Sequence, residues 1–459
     1  MKHLRILRRP ARRAALSAVL LALALPFSAP PTAAAITLEQ AVVMAQRNDP
    51  WLQGNAYRED AMAAQAVAAG SLPDPMVELG FANLPTDTFD FDQEAMTQFK
   101  VGVAQTFPRG DTRALSQRRL AALGEQFPHQ RDERRARLAV DVAVTWLEAY
   151  RASRSIGLIE RDRQLFEHLV DVAESNYASA MGRTRQQDLV RAQLELTRLE
   201  DRLSVLYQRL ETTRAKLGEW LWPAGDPGQW MTAGSISPER VADSPVVELR
   251  HADLFRDQQP VPLQRIAQLL DNHPVMLALD SKIAAGAVEV KLAEQKYRPQ
   301  WKVNASYGYR EGGPMGGPDR PDFFSIGVGF DLPLFTSRRQ DQEVQSAIAG
   351  TEALRTDKML ALRALLAGFE TEHSRLQRLD QRRQLYQTRL LREMEAQAEA
   401  SLSAYTNDDG DFAEVVRSRI AELNARIEAL DIEIARLQTI ARLNYFFAGS
   451  DTTAQGEPS

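Results

Sequence analysis

The 459-residue chain contains no cysteine. That excludes disulfides, thiol catalysis, cysteine metal sites and lipidation of an N-terminal Cys. Histidine is scarce: six lie scattered at positions 3, 129, 168, 251, 273 and 373. Glu370-x-x-His373 has the helical spacing of one carboxylate–imidazole ligand pair, but a metal-binding bundle needs a second pair and further Glu residues. Gly327-x-Gly329 lacks the third glycine of a phosphate loop. With no catalytic constellation left, the chain is read as a non-enzyme that needs no cofactor. Beyond residue 35 no apolar run reaches the ~18 to 20 residues of a spanning helix. If the chain crosses a membrane, it does so with strands.

Positive charge is concentrated at the start. Lys2, Arg5, Arg8, Arg9, Arg12 and Arg13 precede an apolar stretch, Ala14 to Phe27, and the small residues Ala33-Ala34-Ala35. This is the pattern of a cleaved secretory signal over residues 1–35. The whole chain has a net charge of -5, and removing those basic residues makes it more acidic still. That balance argues against nucleic acid and anionic lipid surfaces as partners.

What is present is dominated by one stretch. Leu189, Ala192, Leu196, Leu199, Leu203, Leu206, Leu210, Thr213 and Leu217 follow each other at alternating spacings of 3 and 4. That 3.5-residue repeat keeps one apolar seam against a neighbouring helix. A second copy runs through Val416, Ile420, Leu423, Ile427, Leu430, Ile434, Leu437 and Ala441. Upstream of the first, Val142, Ala149, Ile156, Ile159, Phe166 and Val170 mark a long partner helix. Each long helix and its return over a short turn form an antiparallel hairpin.

Elsewhere the period changes to two. Val77, Leu79 and Phe81; Phe99, Val101 and Val103; Trp301, Val303, Ala305, Tyr307 and Tyr309; and Phe324, Ile326, Val328 and Phe330 each alternate with small or polar residues. The punctuation recurs too. Asn48-Asp49-Pro50 returns as Asn272-His273-Pro274 and Pro75 as Pro299, both 224 residues on, and Pro108 returns as Pro333, 225 residues on. The chain is therefore expected to be mostly α with a transmembrane β part, written as two tandem repeats of two strands plus a long helical hairpin. The first repeat spans 36–222, with strands near 76–85 and 97–107 and a hairpin over 113–220. A linker covers 223–261. The second repeat spans 262–447, with strands near 300–310 and 322–332 and a hairpin over 338–447. A polar tail, 448–459, is expected to be disordered.

Four strands cannot close a barrel, and an open edge in lipid leaves backbone groups unpaired at several kcal/mol each. Copies must join: two give eight strands, three give twelve. The competing reading is a soluble periplasmic coiled-coil scaffold or adaptor whose strands form an ordinary capped sheet.

The organisation resembles the TolC-like outer-membrane channels. The resemblance rests on Leu38-Glu39-Gln40-Ala41, the Asn-x-Pro of each half, Gly182 six residues before Asp188-Leu189, and Tyr405 ahead of Glu414-Val415-Val416 and Asn424-Ala425. Leu72-Pro73-Asp74-Pro75, Asn83-Leu84-Pro85 and Gln105-Thr106-Phe107-Pro108-Arg109-Gly110 are most similar to the heavy-metal cation efflux (CzcC/CusC-like) branch. The resemblance implies a homotrimer with a twelve-stranded barrel in outer-membrane lipid and a periplasmic α-helical barrel. It also implies a periplasmic adaptor and an inner-membrane RND-type pump as partners. Drug efflux and type I secretion use similar ducts.

The resemblance also assigns residues. Asp188 and Tyr405 match positions that help close the periplasmic mouth, and Glu414 falls in a constricting acidic ring. Arg417 stands where a second acid is expected, and Gly410 where an arginine pairs across the closed mouth. Met181, Gly182, Arg183 and Gly410 lie at the hairpin tips, where an adaptor docks. Asp408, Asp409 and Asp411 would concentrate acidic groups there in several copies, attracting cations. Asp and Gly also suit a plain polar turn with a helix cap.

Overall fold

A computed structural model describes residues 36–178, 186–222, 245–255, 262–312, 320–407 and 410–449. The signal expected at 1–35 lies outside them, as do most of the linker and residues 450–459. The elements run α1 (Leu38–Asn48), α2 (Pro50–Ala69), β1 (Met76–Ala82), β2 (Gln98–Phe107), α3 (Thr112–Gly124), α4 (Gln126–Ala178), α5 (Gln186–Leu221), α6 (Leu263–Asp271), α7 (Pro274–Glu294), β3 (Trp301–Tyr309), β4 (Phe323–Phe330), α8 (Gln340–Leu385), α9 (Leu391–Thr406) and α10 (Phe412–Phe446). The fold is mostly helical. A π-turn, Tyr386–Leu390, joins α8 to α9 without ending the rod.

The seams explain the long helices. All nine positions of the α5 repeat are buried or half-buried, and they pack against Val142, Ala149, Ile156, Ile159, Phe166 and Val170 of α4. α10 joins the same cluster through Val416, Leu423, Ile427, Ile434 and Leu437. It is buried round more of its circumference, because α8 packs on it too: Phe369 and Leu376 meet Ile440, Leu443, Phe446 and Phe447. At ~1.5 Å per residue, the 53 residues of α4 extend about 80 Å.

The Asn-x-Pro motifs start helices, with the central residue as N-cap and proline in the first turn. Asp49 accepts from Trp51 N at 3.1 Å and takes Arg134 Nε at 2.7 Å. His273 does the same work with a ring: Nδ1 accepts from Val275 N at 3.3 Å, and Nε2 donates to the Tyr445 carbonyl at 3.1 Å. That pair of bonds fixes the neutral Nε2–H tautomer in a fully buried side chain.

The motifs of the expected efflux branch lock the sheet to the helices. Gln105 Nε2 donates to the Pro73 carbonyl at 2.8 Å. Arg109 pairs with Asp331 and donates from Nη1 to the Lys296 carbonyl at 2.8 Å. Gly110 has φ +43°, and a Cβ there would crowd the Gln295 and Arg298 side chains, so the turn favours glycine. β1 stops at Ala82, short of Pro85, because Asn83 turns into the left-handed region (φ 58°) and donates to the Met96 carbonyl at 3.1 Å. At the far end, Ala448 is buried, so packing continues past the expected start of the tail.

Burial pushes the His273 pKa down, against a smaller raising effect of the Tyr445 carbonyl. An unfolded chain takes up a proton near the ordinary value of about 6.5, which the folded imidazole resists. The cap's contribution is thus complete above that value and is lost as pH falls through it. Lowering pH from about 7 to about 5 should reduce the thermal unfolding temperature in detergent, and His273→Asn, which retains a cap acceptor, should blunt that dependence.

Candidate functional site

Two regions hold the residues singled out in the sequence: the sheet and the hairpin tips. The sheet is antiparallel in the order β1-β2-β3-β4. Its registers pair Leu79 with Val101, Val103 with Ala305, Val303 with Val328, and Ala305 with Ile326. All the alternating apolar residues therefore share one face. That face is open to solvent: Leu79 is 68% exposed, Ile326 71% and Phe324 71%. Monomeric soluble proteins seldom expose an apolar patch this continuous.

Its residues are also graded. Phe81, Phe99, Tyr309 and Phe324 lie at the loop end, where Phe91 stacks on Tyr309 with centroids 6.3 Å apart. Phe107, Trp301 and Phe330 lie at the helix end, with Trp301 and Phe330 4.7 Å apart. Aliphatic residues fill the middle. Phe99 and Phe107 stand about 27 Å apart along the strand, or about 21 Å once tilted by about 40°, close to the ~25 Å apolar band between the aromatic girdles of an outer-membrane barrel. The opposite face carries Glu78, Lys100, Gly102, Ala104, Lys302, Asn304, Ser306, Gly327 and Gly329, which are small or polar. Both outer edges, β1 and β4, lack a strand partner among the described residues.

At the second hairpin tip, Asp411 caps α10, accepting from Ala413 N at 3.1 Å. Gly410 is required by the turn itself, because a Cβ would come within 2.6 Å of Tyr405 N. The Tyr405 ring packs edge-on against buried Phe412, centroids 5.5 Å apart. Glu414 follows in the first turn and is ion-paired to Arg417, one helical turn on. Arg417 therefore offsets the charge that Glu414 offers to an acidic ring. Asp188, in the first turn of α5, is buried at 5% exposure. Leu189, Tyr405, Phe412 and Val416 belong to one apolar cluster, so both tips share a core. Met181, Gly182, Arg183, Asp408 and Asp409 lie outside the described residues.

Sequence reading missed the charged groups flanking the seams. Arg151 of α4 pairs with Asp431 of α10 at 2.8 Å, and Asp162 of α4 lies 3.6 Å from Arg426. Arg426 also pairs with buried Glu422, which Arg419 approaches at 2.9 Å. Arg202 of α5 donates to Asn424 at 2.7 Å. Burial pushes the Asp162 carboxyl above its ordinary value, and the Arg426 guanidinium works against that. The available signal was positional, since such residues sit beside the apolar seam where interhelical pairs form. Among the described residues, no His, Asp or Glu cluster suited to a metal ion occurs, and no helix is long and apolar enough to cross a membrane.

Against solved structures, the chain superposes on the outer-membrane channel OprN with a TM-score of 0.72 at 15% identity, covering 90% of each chain. The chain has the fold of these outer-membrane channels. CusC, whose structures describe transmembrane channel formation, matches with a TM-score of 0.71 at 13% identity, over 90% of this chain and 92% of CusC. The open-state MtrE channel of Neisseria gonorrhoeae matches with a TM-score of 0.69 at 13% identity, over 92% of this chain and 94% of MtrE. No family model and no curated protein sequence matches the chain. The outer-membrane channel fold is thus kept at sequence identities where side chains have mostly changed.

The cap role of Asp411 can be separated from its charge. Asp411→Ala should cost about 1 kcal/mol and speed exchange of the Ala413 amide by roughly fivefold, whereas Asp411→Asn, which still caps, should leave it near wild type. Hydrogen exchange in detergent checks both.

Proposed function

We propose that the chain is one protomer of a homotrimeric outer-membrane channel, the passive exit duct of a tripartite efflux pump. The two-faced sheet with two open edges carries this reading. Three copies supply twelve strands, each β4 closing on the β1 of its neighbour, and the paired rods of the two tandem repeats extend the bore below. Apolar girdled faces then meet lipid, and small and polar faces meet water. A soluble adaptor would leave the apolar face exposed. Energy comes from an inner-membrane RND-type pump, reached through a periplasmic adaptor at the tips around Met181, Gly182, Arg183 and Gly410. Asp188, Tyr405, Asp408, Asp409, Asp411 and Glu414 form the periplasmic mouth. The Leu72–Pro75 and Gln105–Gly110 motifs favour heavy-metal cations as cargo over drugs or secreted proteins.

The mouth is tested by charge. Asp408→Asn, Asp409→Asn and Asp411→Asn together keep the cap acceptor at 411 and remove the acidic ring. In planar bilayers the cation-over-anion permeability ratio should fall by about twofold or more at low salt. Glu414→Gln alone should change it little, because Arg417 already offsets that carboxylate. An unchanged ratio in the triple variant removes the acidic mouth from the account.

A further inference from the structure

If three sheets close as proposed, the non-lipid face of each sheet lines the bore, and that face has a charge pattern of its own. From the helix end, β3 presents Lys302 opposite Thr106, Asn304 opposite Ala104, Ser306 opposite Gly102, and Gly308 opposite Lys100. β1 adds Glu78, also opposite Gly102. Lys100, Lys302 and Glu78 are all exposed, while Ser306 and Ala104 between them are buried and short. The charged side chains are therefore the ones that reach into the water. Asp331, the acid beyond Gly329 at the helix end of β4, is already paired with Arg109. At the loop end, Arg310 is offset by Asp322, whose Oδ1 accepts from the Arg310 backbone N–H at 2.8 Å. The Arg310 guanidinium lies 3.9 Å over the Phe323 ring and donates to the Ala95 carbonyl at 2.9 Å.

We propose that Lys302 and Lys100 form two cationic tiers that bias the strand section of the bore toward small anions. This rests on the channel reading above, and it assigns a second selectivity determinant, at the opposite end of the molecule from the acidic turn. Each protomer brings two exposed lysines against one glutamate, and low-dielectric walls focus their field into the lumen. The two tiers stand six residues apart, about 20 Å along the strand, roughly two screening lengths at physiological salt, so each acts on its own.

The absence of cysteine makes the local potential measurable. Asn304→Cys places a single thiol on the bore face, two residues or about 7 Å from Lys302 and about 14 Å from the level of Lys100. Its reaction rates with an anionic and a cationic methanethiosulfonate reagent, added outside intact cells, are each normalised to a free small thiol. The anionic reagent should be favoured about threefold, Lys302→Gln should bring the ratio close to one, and Lys100→Gln should change it less. About 1 M salt should erase the preference, because the screening length falls to ~3 Å. A ratio unmoved by Lys302→Gln, or one favouring the cationic reagent, overturns the proposal. If the Asn304 variant assembles poorly, Ser325→Cys, exposed on the same face of β4 at the level of Gly102, sits axially about 7 Å from the Lys100 tier and about 14 Å from the Lys302 tier. There the anionic preference should fall with Lys100→Gln at least as much as with Lys302→Gln, and a ratio moved by neither overturns the proposal. Tyr307→Cys on the apolar face is the control for the channel reading. Equal labelling there by both water-soluble reagents shows that the strands are not in lipid, a failure distinct from an absent charge preference at a shielded Tyr307.

Discussion

Everything in this structure depends on unpaired backbone at the two edges of a four-stranded sheet. In water, β1 and β4 would bond to solvent at little cost. In hydrocarbon each unpaired group costs several kcal/mol, more than side-chain packing at an edge recovers. The apolar face permits no compromise, since its open Leu79, Phe324 and Ile326 disfavour water as strongly as the edges disfavour lipid. On the proposed channel reading, another copy offering a complementary edge satisfies both demands, and oligomerisation becomes a condition of the fold.

The helices answer a second demand, which in the proposed channel is to hold the strands at fixed spacing and extend the bore. The α4–α5 and α8–α9–α10 rods are held by two apolar clusters, and α10 is the keystone because it packs on α4 in one and on α8 in the other. The junction between sheet and rods is held by polar locks. Arg109 with Asp331, Gln105 with Pro73, and the Gly110 turn against Gln295 occupy the short segments where a strand becomes a helix. The rods are joined differently, by apolar seams plus flanking pairs such as Asp162 with Arg426 and Arg151 with Asp431. These half-exposed pairs contribute little net stability and serve to fix the register between the rods.

The rods were legible in the sequence because period 3.5 is set by burial along the seams, and the four strands because their apolar residues keep to one face, which lies open here. The turn at Asp411 was legible as chemistry but ambiguous as function, since a helix cap and an acidic ring call for the same residue. The structure shows the cap. Glu414 is the opposite case. Its charge was read correctly, but its offset by Arg417 depends on rotamers one helical turn apart. The Asn-x-Pro motifs read as interruptions, yet they are start signals, with Asp49 and His273 as interchangeable caps. The interhelical pairs escaped because nothing in one sequence says which flanking Arg meets which flanking acid across two helices.

The central claim is that β1 of one copy closes on β4 of the next. A chain free of cysteine allows it to be tested by oxidative cross-linking in the membrane. Leu79→Cys on β1 is combined in turn with Phe324→Cys, Ile326→Cys and Val328→Cys on β4, which samples the unknown register between copies. A disulfide forms only where Cα atoms approach to about 5.5 Å. The account predicts that one pairing gives an SDS-resistant, reductant-sensitive ladder that stops at the trimer. Monomer in every pairing, or a ladder that ends at another size, contradicts it.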